Sequence, residues 1–406
     1  MSLVQDDCAE INASVLHGAK DMRLVSYAPM SDSYIISKEL IGDQERRRLE
    51  LPGSEELQVS VRSTGLCGSD LHYYNHYRNG DILVREPMSL GHESSGVVSA
   101  VGSAVKGFKV GDRVALEVGL PCQVCHQCTQ GRYNICKELR FRSSAKSFPH
   151  FQGTLQDKIN HPAAWCHRLP DNVSLDLGAL LEPLSVALHG SRRAEISSGH
   201  VCLVLGAGAV GLLCAAMCIA RGASTVIIAD IQEERVNFAT QNGFAHEGFV
   251  MPRKACDSTE EKLNFAREVA TLLLNSREVS PKNAREVDVT FECTGVESCL
   301  QTAIYTTRPG GKIMLIGMGA PVQTLPISAA ALREVDLVGV FRYADTYQEA
   351  IELVSKTDGP LPDLKKLITH RFRGLENASK AFDRAMQPID ADGALVLKVL
   401  IDTETA

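Results

Sequence analysis

Between residues 56 and 118 the chain is a series of short alternating or apolar runs separated by glycine-bearing turns, such as Leu57-Gln58-Val59-Ser60-Val61 and Gly96-Val97-Val98-Ser99-Ala100-Val101. A period of two marks half-buried strands, so this half predicts small twisted β-structure. After Pro183 the pattern changes to a wholly apolar run at 201–205, a glycine cluster, a helical pattern over 210–220 and a second apolar run at 225–229. Strand, helix and strand in that order predict a βαβ unit in a parallel sheet covered on both faces. Runs at 287–291, 312–316 and 336–340 extend the sheet. The stretch 251–286 is charged and helical in pattern and reads as a surface elaboration. From about 347 the tail mixes a helix with a strand-like run, 394–401, expected to rejoin the first domain. Residues 1–20 carry no period and read as a polar lead-in. The expectation is an α/β protein: a β-rich domain from 1–183 and 341–406, and a parallel-sheet domain over 184–340.

Composition narrows this picture. The 406 residues give room for two domains with substantial cores. With 44% hydrophobic and 22% charged residues, and 42 basic against 49 acidic side chains for a net charge of −7, the chain is neither disordered nor a bulk electrostatic binder of nucleic acid. Lys137, Arg140 and Arg142 are too few to build a basic recognition face beside the cysteine cluster described below. No run approaches the roughly 18 apolar residues that cross a bilayer. The first residues, Met1-Ser2-Leu3-Val4-Gln5-Asp6-Asp7, put acid where a secretory leader puts base and then an apolar stretch. A cytoplasmic, reducing setting is therefore expected, in which the 13 cysteines serve as thiols or metal ligands.

Gly206-Ala207-Gly208-Ala209-Val210-Gly211 fits G-x-G-x-x-G directly after a predicted strand and at the start of a predicted helix. Asp230 ends the next strand, where such a motif places the acid that binds ribose hydroxyls. The glycines allow a tight turn and close approach of a pyrophosphate to the helix start. A carboxylate at 230 repels a 2′-phosphate, which favours NAD over NADP. Glycines that merely permit a tight turn would leave the paired acid unexplained.

Cys122-x2-Cys125-x2-Cys128-x7-Cys136 suits a closed tetrahedral zinc, structural because no position is left for substrate, with an iron–sulfur cluster as the alternative. A second set is dispersed: Cys67 within Gly65-Leu66-Cys67-Gly68-Ser69-Asp70-Leu71-His72, then Gly91-His92-Glu93, then Leu181-Glu182-Pro183. A thiolate, an imidazole and a carboxylate leave a zinc ion one open position, which is the catalytic arrangement. His92 and Glu93 are neighbours and would point to opposite faces of a regular strand, so a turn at Gly91 must redirect them. Either Glu93 or Glu182 could supply the carboxylate.

These segments, with Gly111-Asp112-Arg113-Val114-Ala115, Glu292-Cys293-Thr294-Gly295 and Gly339-Val340-Phe341-Arg342-Tyr343, resemble the medium-chain zinc dehydrogenases over roughly 55–401, most closely the sorbitol and xylitol (polyol) branch. The resemblance implies a GroES-like catalytic domain and a Rossmann NAD-binding domain with a cleft between them, tetrameric assembly, and reversible oxidation of a sugar alcohol to the ketose. It implies catalytic-zinc ligation by Cys67, His92 and Glu93, with Glu182 at the metal's water and the substrate. Ser69 and His72 take the places of a proton exit, and Tyr73, Phe141, Arg342 and Tyr343 those of polyol contacts. Gly206, Gly208, Val210, Gly211, Asp230 and Arg235 take cofactor positions on the adenosine side, and Ile316, Gly317, Met318, Val340 and Phe341 on the nicotinamide side. Alternatives within the superfamily are an L-arabinitol, galactitol, alcohol or threonine dehydrogenase. A non-enzymatic structural relative is the alternative from another class, and such relatives lack the metal ligands. Three features depart from the branch: animal sorbitol dehydrogenases typically lack the four-cysteine set, the segment 137–162 is distinctive, and the elaboration at 251–286 is longer than usual.

Overall fold

A computed structural model describes residues 11–27, 51–276, 286–356 and 358–403. The chain forms two compact units, one drawn from Met1–Thr129, Cys136–Glu182 and Ile368–Ala406, the other from Gln130–Ile135 and Pro183–Leu367.

The first unit is built on a seven-stranded sheet. Its strands run in the order Cys166–Arg168, Arg113–Leu116, Glu93–Val101, Glu56–Gly65, Lys398–Asp402 and Ile368–Arg373, and Lys158–Pro162 also pairs with Glu56–Gly65. The alternation read at 57–61 buries Leu57, Val59 and Val61 against Val98, Val114 and Leu116. Lys398–Asp402 pairs antiparallel with the C-terminal end of Glu56–Gly65, Leu400 facing Gly65, so the tail returns to the first unit. The helix Gly68–His76 leaves that same end of Glu56–Gly65, and Tyr74 stacks on Phe382 at 4.7 Å.

The reading of residues 1–20 as a polar lead-in needs correction. Ile11–Gly18 and Asp21–Tyr27 form a hairpin, with Ala13, Val15 and Leu16 buried, and Met88–Ser89 pairs on its other side. The polar positions of the short alternation Ile11-Asn12-Ala13-Ser14-Val15 are themselves engaged, since the Ser14 hydroxyl donates to the Leu375 carbonyl at 2.5 Å. Residues 1–10 lie outside the described residues.

The second unit holds a six-stranded, all-parallel sheet in the order Glu247–Val250, Thr225–Asp230, Val201–Leu205, Val287–Glu292, Thr307–Leu315 and Asp336–Gly339. The chain starts in the middle and winds outward in both directions, so the strand order reverses between Val201–Leu205 and Val287–Glu292. Ligands of such sheets bind at the carboxyl ends of the two strands flanking that reversal. All five residues of Val201–Leu205 are buried, as a strand covered on both faces requires.

Two details differ from expectation. The stretch 251–286 is more than a surface elaboration, because the helix Thr259–Asn275 buries Ala266, Val269, Ala270 and Leu273, the last two turns joining the sheet's core; residues 277–285 lie outside the described residues. The compact unit also continues past 340 to Leu367. Its helix Tyr347–Ser355 buries Tyr347, Ala350 and Ile351, and Arg221 reaches Glu349 at 2.6 Å.

Candidate active site and metal centres

Cys67, His92 and Glu93 come from two places in the first unit's fold. Cys67 precedes the helix Gly68–His76 with extended backbone (φ −97°, ψ 153°). Gly91 is left-handed at φ +90°, and regular strand begins only at Glu93, so the turn required to bring adjacent His92 and Glu93 to one point is present. One donor atom from each of Cys67, His92 and Glu93 lies within 4.8 Å of the others. His92 and Glu93 are buried and Cys67 is half-buried, which keeps one side of the cluster open. Glu182 lies outside this three-donor set, although its charge acts on Lys398 beside it.

Two residues that the sequence reading did not assign here organise the donors. The first is Asp70, which lies 3.2 Å from His92 Nδ1 through Oδ1. The same oxygen accepts from the Gly91 amide at 3.3 Å and the Ser143 hydroxyl at 2.5 Å, and Oδ2 accepts from the Cys67 amide at 3.3 Å. A proton held on Nδ1 toward this carboxylate leaves Nε2 with the lone pair that a metal needs. Burial works against the charged form of His92, yet Asp70 and Cys67 raise its pKa well above the ordinary value. The capping spacing Cys67-x-x-Asp70 is the sequence signal that could have found Asp70.

Lys398 is the second. Its ammonium donates to both Glu93 oxygens, at 2.8 and 2.7 Å, and to the Leu66 carbonyl at 3.1 Å. A carboxylate has about four lone-pair directions, so Glu93 can accept both bonds and still offer an electron pair to a cation. Gly65 makes room for this arrangement: a Cβ there would come within 2.2 Å of Glu93 Oε2.

The remaining predicted residues of this unit separate by environment. Phe141 is buried with its ring edge-on to His92 at 5.4 Å. Tyr73 is buried, and its hydroxyl accepts from the Ala145 amide at 3.3 Å. Ser69 is half-buried, and His72 is exposed on the outer face of its helix, 6.2 Å from the His76 ring.

The four cysteines form a second cluster. Their sulfurs lie within 4.8 Å of one another, with Cys125–Cys128 and Cys136–Cys122 at 3.5 Å and Cys122–Cys128 at 3.9 Å. A zinc tetrathiolate with bonds of about 2.3 Å has tetrahedral edges of about 3.8 Å, so the spacing fits zinc and is far too long for disulfides. The Val124 and Cys125 amides draw the Cys122 thiol down to about 7, whereas burial pushes Cys128 up to about 12. Four thiolates this close need a cation to ionise together.

In the second unit each glycine of the 206–211 loop has a different constraint. Gly206 is left-handed at φ +98°, and a Cβ on Gly211 would lie 1.8 Å from the Gly206 carbonyl oxygen. A Cβ on Gly208 would meet only Arg235 Nη1 at 3.8 Å. Turn and packing account for the first and last glycines, while the open space at Gly208 fits close approach of a dinucleotide pyrophosphate. Asp230 Oδ2 accepts from the Ala207 amide at 2.7 Å and Oδ1 from the Gln232 amide at 2.8 Å, so this acid braces the loop. Val210 opens the helix Ala209–Ala220. Ile316, Gly317 and Met318 follow the strand Thr307–Leu315, and Val340 and Phe341 follow Asp336–Gly339, all at carboxyl ends of the sheet. Arg342 has φ +50° and its guanidinium sits 4.8 Å over the Phe341 ring, while Tyr343 is buried with its ring 5.7 Å from Tyr347.

Comparison with known proteins gives two family matches: an alcohol dehydrogenase GroES-like domain at residues 53–171 and a zinc-binding dehydrogenase domain at 209–356. The chain is 37% identical over 369 residues to the sorbitol dehydrogenase of Homo sapiens, covering 91% of each. It is 40% identical over 340 residues to a probable D-xylulose reductase A of Emericella nidulans, covering 84% of this chain and 88% of that one. Among solved structures, an Escherichia coli oxidoreductase/dehydrogenase of unknown specificity superposes with a TM-score of 0.77 at 27% identity, over 98% of this chain and 100% of the other.

Proposed function

The chain belongs to the medium-chain zinc-binding dehydrogenases with a GroES-like domain, and from that premise we propose that it oxidises a secondary alcohol of a sugar alcohol to the ketose, reversibly, with NAD. The observation that carries the reading is the clustered thiol, imidazole and carboxylate of Cys67, His92 and Glu93, since a family member without catalytic metal has no use for such a cluster. Sorbitol and xylitol are the first candidates, given the sorbitol dehydrogenase and D-xylulose reductase relatives.

In this reading the first unit is catalytic and the second binds NAD, with one catalytic and one structural zinc per chain. Bound zinc supplies a Lewis acid that makes the substrate hydroxyl acidic, and NAD supplies the hydride acceptor. Cys67, His92 and Glu93 hold the metal, Asp70 fixes the His92 tautomer, and Lys398 fixes the Glu93 carboxylate. Glu182 takes up the hydroxyl proton or passes it on, and Ser69 and the exposed His72 offer a second route to solvent. Tyr73, Phe141, Arg342 and Tyr343 serve the polyol. Arg342 offers a planar fork to adjacent hydroxyls, which selects a polyol over a simple alcohol. The glycine loop and Asp230 receive the adenosine half of NAD, and 316–318 with 340–341 receive the nicotinamide half.

A reducing, cytoplasmic setting suits a chain in which no described cysteine is in a disulfide. Among the described residues no helix is long and apolar enough to cross a membrane. Assembly as a homotetramer completes the reading, and sedimentation velocity checks it. The functional test is zinc analysis together with kcat/KM for sorbitol, xylitol, L-arabinitol and galactitol with NAD and NADP, on the parent and on Cys67→Ser. The parent should reduce NAD with at least one of these polyols and the variant should not. Full activity in Cys67→Ser would sink the proposal.

A further inference from the structure

Asp70 gathers the Cys67 amide, the Gly91 amide and the His92 ring, all from segments that carry or adjoin the donors. Its shortest contact comes from elsewhere. The Ser143 hydroxyl donates to Oδ1 at 2.5 Å, against 3.2 to 3.3 Å for the contacts with the donor segments. Ser143 is buried at 4% exposure and has φ +61°, a left-handed backbone that serine adopts rarely. Its neighbours hold it there. The Ser143 amide donates to the Phe151 carbonyl at 3.0 Å, and Ser144 bridges to Phe151. The preceding Arg142 is buried and donates to His161 Nδ1 at 3.2 Å, the Gln152 carbonyl at 3.1 Å and the Asn160 carbonyl at 2.5 Å. A strained residue clamped on both sides, with its hydroxyl aimed at the carboxylate behind a candidate metal ligand, calls for a reason beyond loop packing.

We propose that Ser143 is a positioning residue for the Cys67, His92 and Glu93 site. By holding Asp70 Oδ1 it fixes the carboxylate that orients the His92 ring, and it makes metal affinity depend on the loop between 140 and 154. The proposal rests on reading that cluster as a zinc site. Outer partners of metal-binding histidines set ring orientation and ligand basicity, and removing one costs about 10- to 100-fold in metal affinity or activity. Here the partner of the partner lies in the segment 137–162, which the sequence reading marks as distinctive.

The experiment compares Ser143→Ala with Ser143→Gly. Both lose the hydroxyl, but glycine relaxes the left-handed backbone and alanine does not. For each variant and the parent, zinc affinity at the mixed site is measured by chelator competition, with the four-cysteine zinc as internal control. The visible spectrum of the cobalt-substituted site, the melting temperature of the metal-free protein, and kcat and KM are recorded alongside. Both variants should lose about tenfold or more in zinc affinity at the mixed site and shift the cobalt bands, while the control zinc is unchanged. Ser143→Gly should melt at or above Ser143→Ala. Zinc affinity within twofold of the parent in both variants, with an unaltered cobalt spectrum, overturns the proposal. So does affinity that follows melting temperature, retained in the glycine variant and lost only in the alanine one. A parent that binds no metal at Cys67 overturns the functional reading and this proposal together, an outcome distinct from a parent that binds zinc indifferently to Ser143.

Discussion

Lys398 grips both oxygens of Glu93, at 2.8 and 2.7 Å, although 305 residues separate them and both side chains are buried. Burial alone would lower the lysine's pKa, but Glu93, with Cys67 and Glu182, offsets this and raises it. Deleting one partner of a buried pair leaves an uncompensated charge and costs about 3–5 kcal/mol. Lys398→Met should therefore destabilise the metal-free protein by about that much. A bound cation neutralises Glu93 in the lysine's absence, so the loss should be smaller with zinc. Urea denaturation of parent and variant with and without chelator checks both statements, and equal losses in the two conditions would separate Glu93 from the metal.

The four-cysteine cluster should be structural. Cys128→Ser should remove about one zinc per chain, lower the melting temperature, and leave kcat of the surviving folded enzyme within about twofold of the parent, because a closed site offers substrate nothing. Zinc analysis paired with calorimetry and kinetics checks this. A kcat that collapses in fully folded variant protein would assign the cluster a part in the reaction.

The division of labour around the metal shows what a single chain of letters does and does not carry. Cys67, the His92-Glu93 pair and the turn at Gly91 were readable because donor chemistry and glycine placement are local patterns. The glycine loop with Asp230 was readable because strand, loop, helix and acid follow at fixed offsets. Lys398 was hidden because a lone lysine in a strand reads as a solvated face; only the return of the tail beside Glu56–Gly65 delivers it to Glu93. Ser143 was hidden for the same reason, since its partner is set by long-range packing. The hairpin at 11–27 was missed although Ile11-Asn12-Ala13-Ser14-Val15 alternates, because Leu16 ends the alternation after five residues, and the polar positions Asn12 and Ser14 find partners, Asp157 and Leu375, far along the chain. Local periodicity reports elements that cover themselves, and fails where a polar side chain is satisfied by a remote one.

Stability should fall on acidification below about pH 6.5, with His161 as one cause. The ring is fully buried; Nδ1 accepts from Arg142 Nε at 3.2 Å, and Nε2 lies 3.0 Å from the Glu117 carbonyl, so the neutral ring donates there. Burial first, then the Arg142 and His167 charges, lower its pKa to about 3. Between pH 6.5 and 3 the unfolded chain binds a proton that the folded ring refuses, so protons favour unfolding and stability drops as pH falls. At pH 5 the contribution of this residue is about 2 kcal/mol. His189, held at about 4 by burial and by Arg193, Arg192 and Arg132, acts in the same direction. Urea titrations between pH 5 and 7.5 should show the decline. His161→Gln keeps one acceptor and one donor without a titrating group, so it should flatten the curve; an unchanged slope would clear His161 of the effect.

The glycine loop allows stability and cofactor binding to be separated. A Cβ at Gly211 would lie 1.8 Å from the Gly206 carbonyl oxygen, so Gly211→Ala must displace backbone and should lower the melting temperature or abolish folding. At Gly208 the backbone is extended (φ −78°, ψ −179°) and the nearest neighbour of a Cβ is Arg235 Nη1 at 3.8 Å, so alanine fits the free protein. Gly208→Ala should change stability by less than about 1 kcal/mol, the scale of losing a glycine cap. If that space receives the pyrophosphate, the same methyl group should raise the dissociation constant for NAD by about tenfold or more, a cost of about 1.4 kcal/mol at least. Asp230→Ala is the companion test, because it removes both the brace on the Ala207 amide and the negative charge that disfavours a 2′-phosphate. It should weaken NAD and narrow the ratio of kcat/KM between NAD and NADP. Fluorescence titration with NADH, beside thermal melts of each variant, separates the two effects: unaltered cofactor binding in a well-folded Gly208→Ala protein would mean that the open space at Gly208 is not where the pyrophosphate lies.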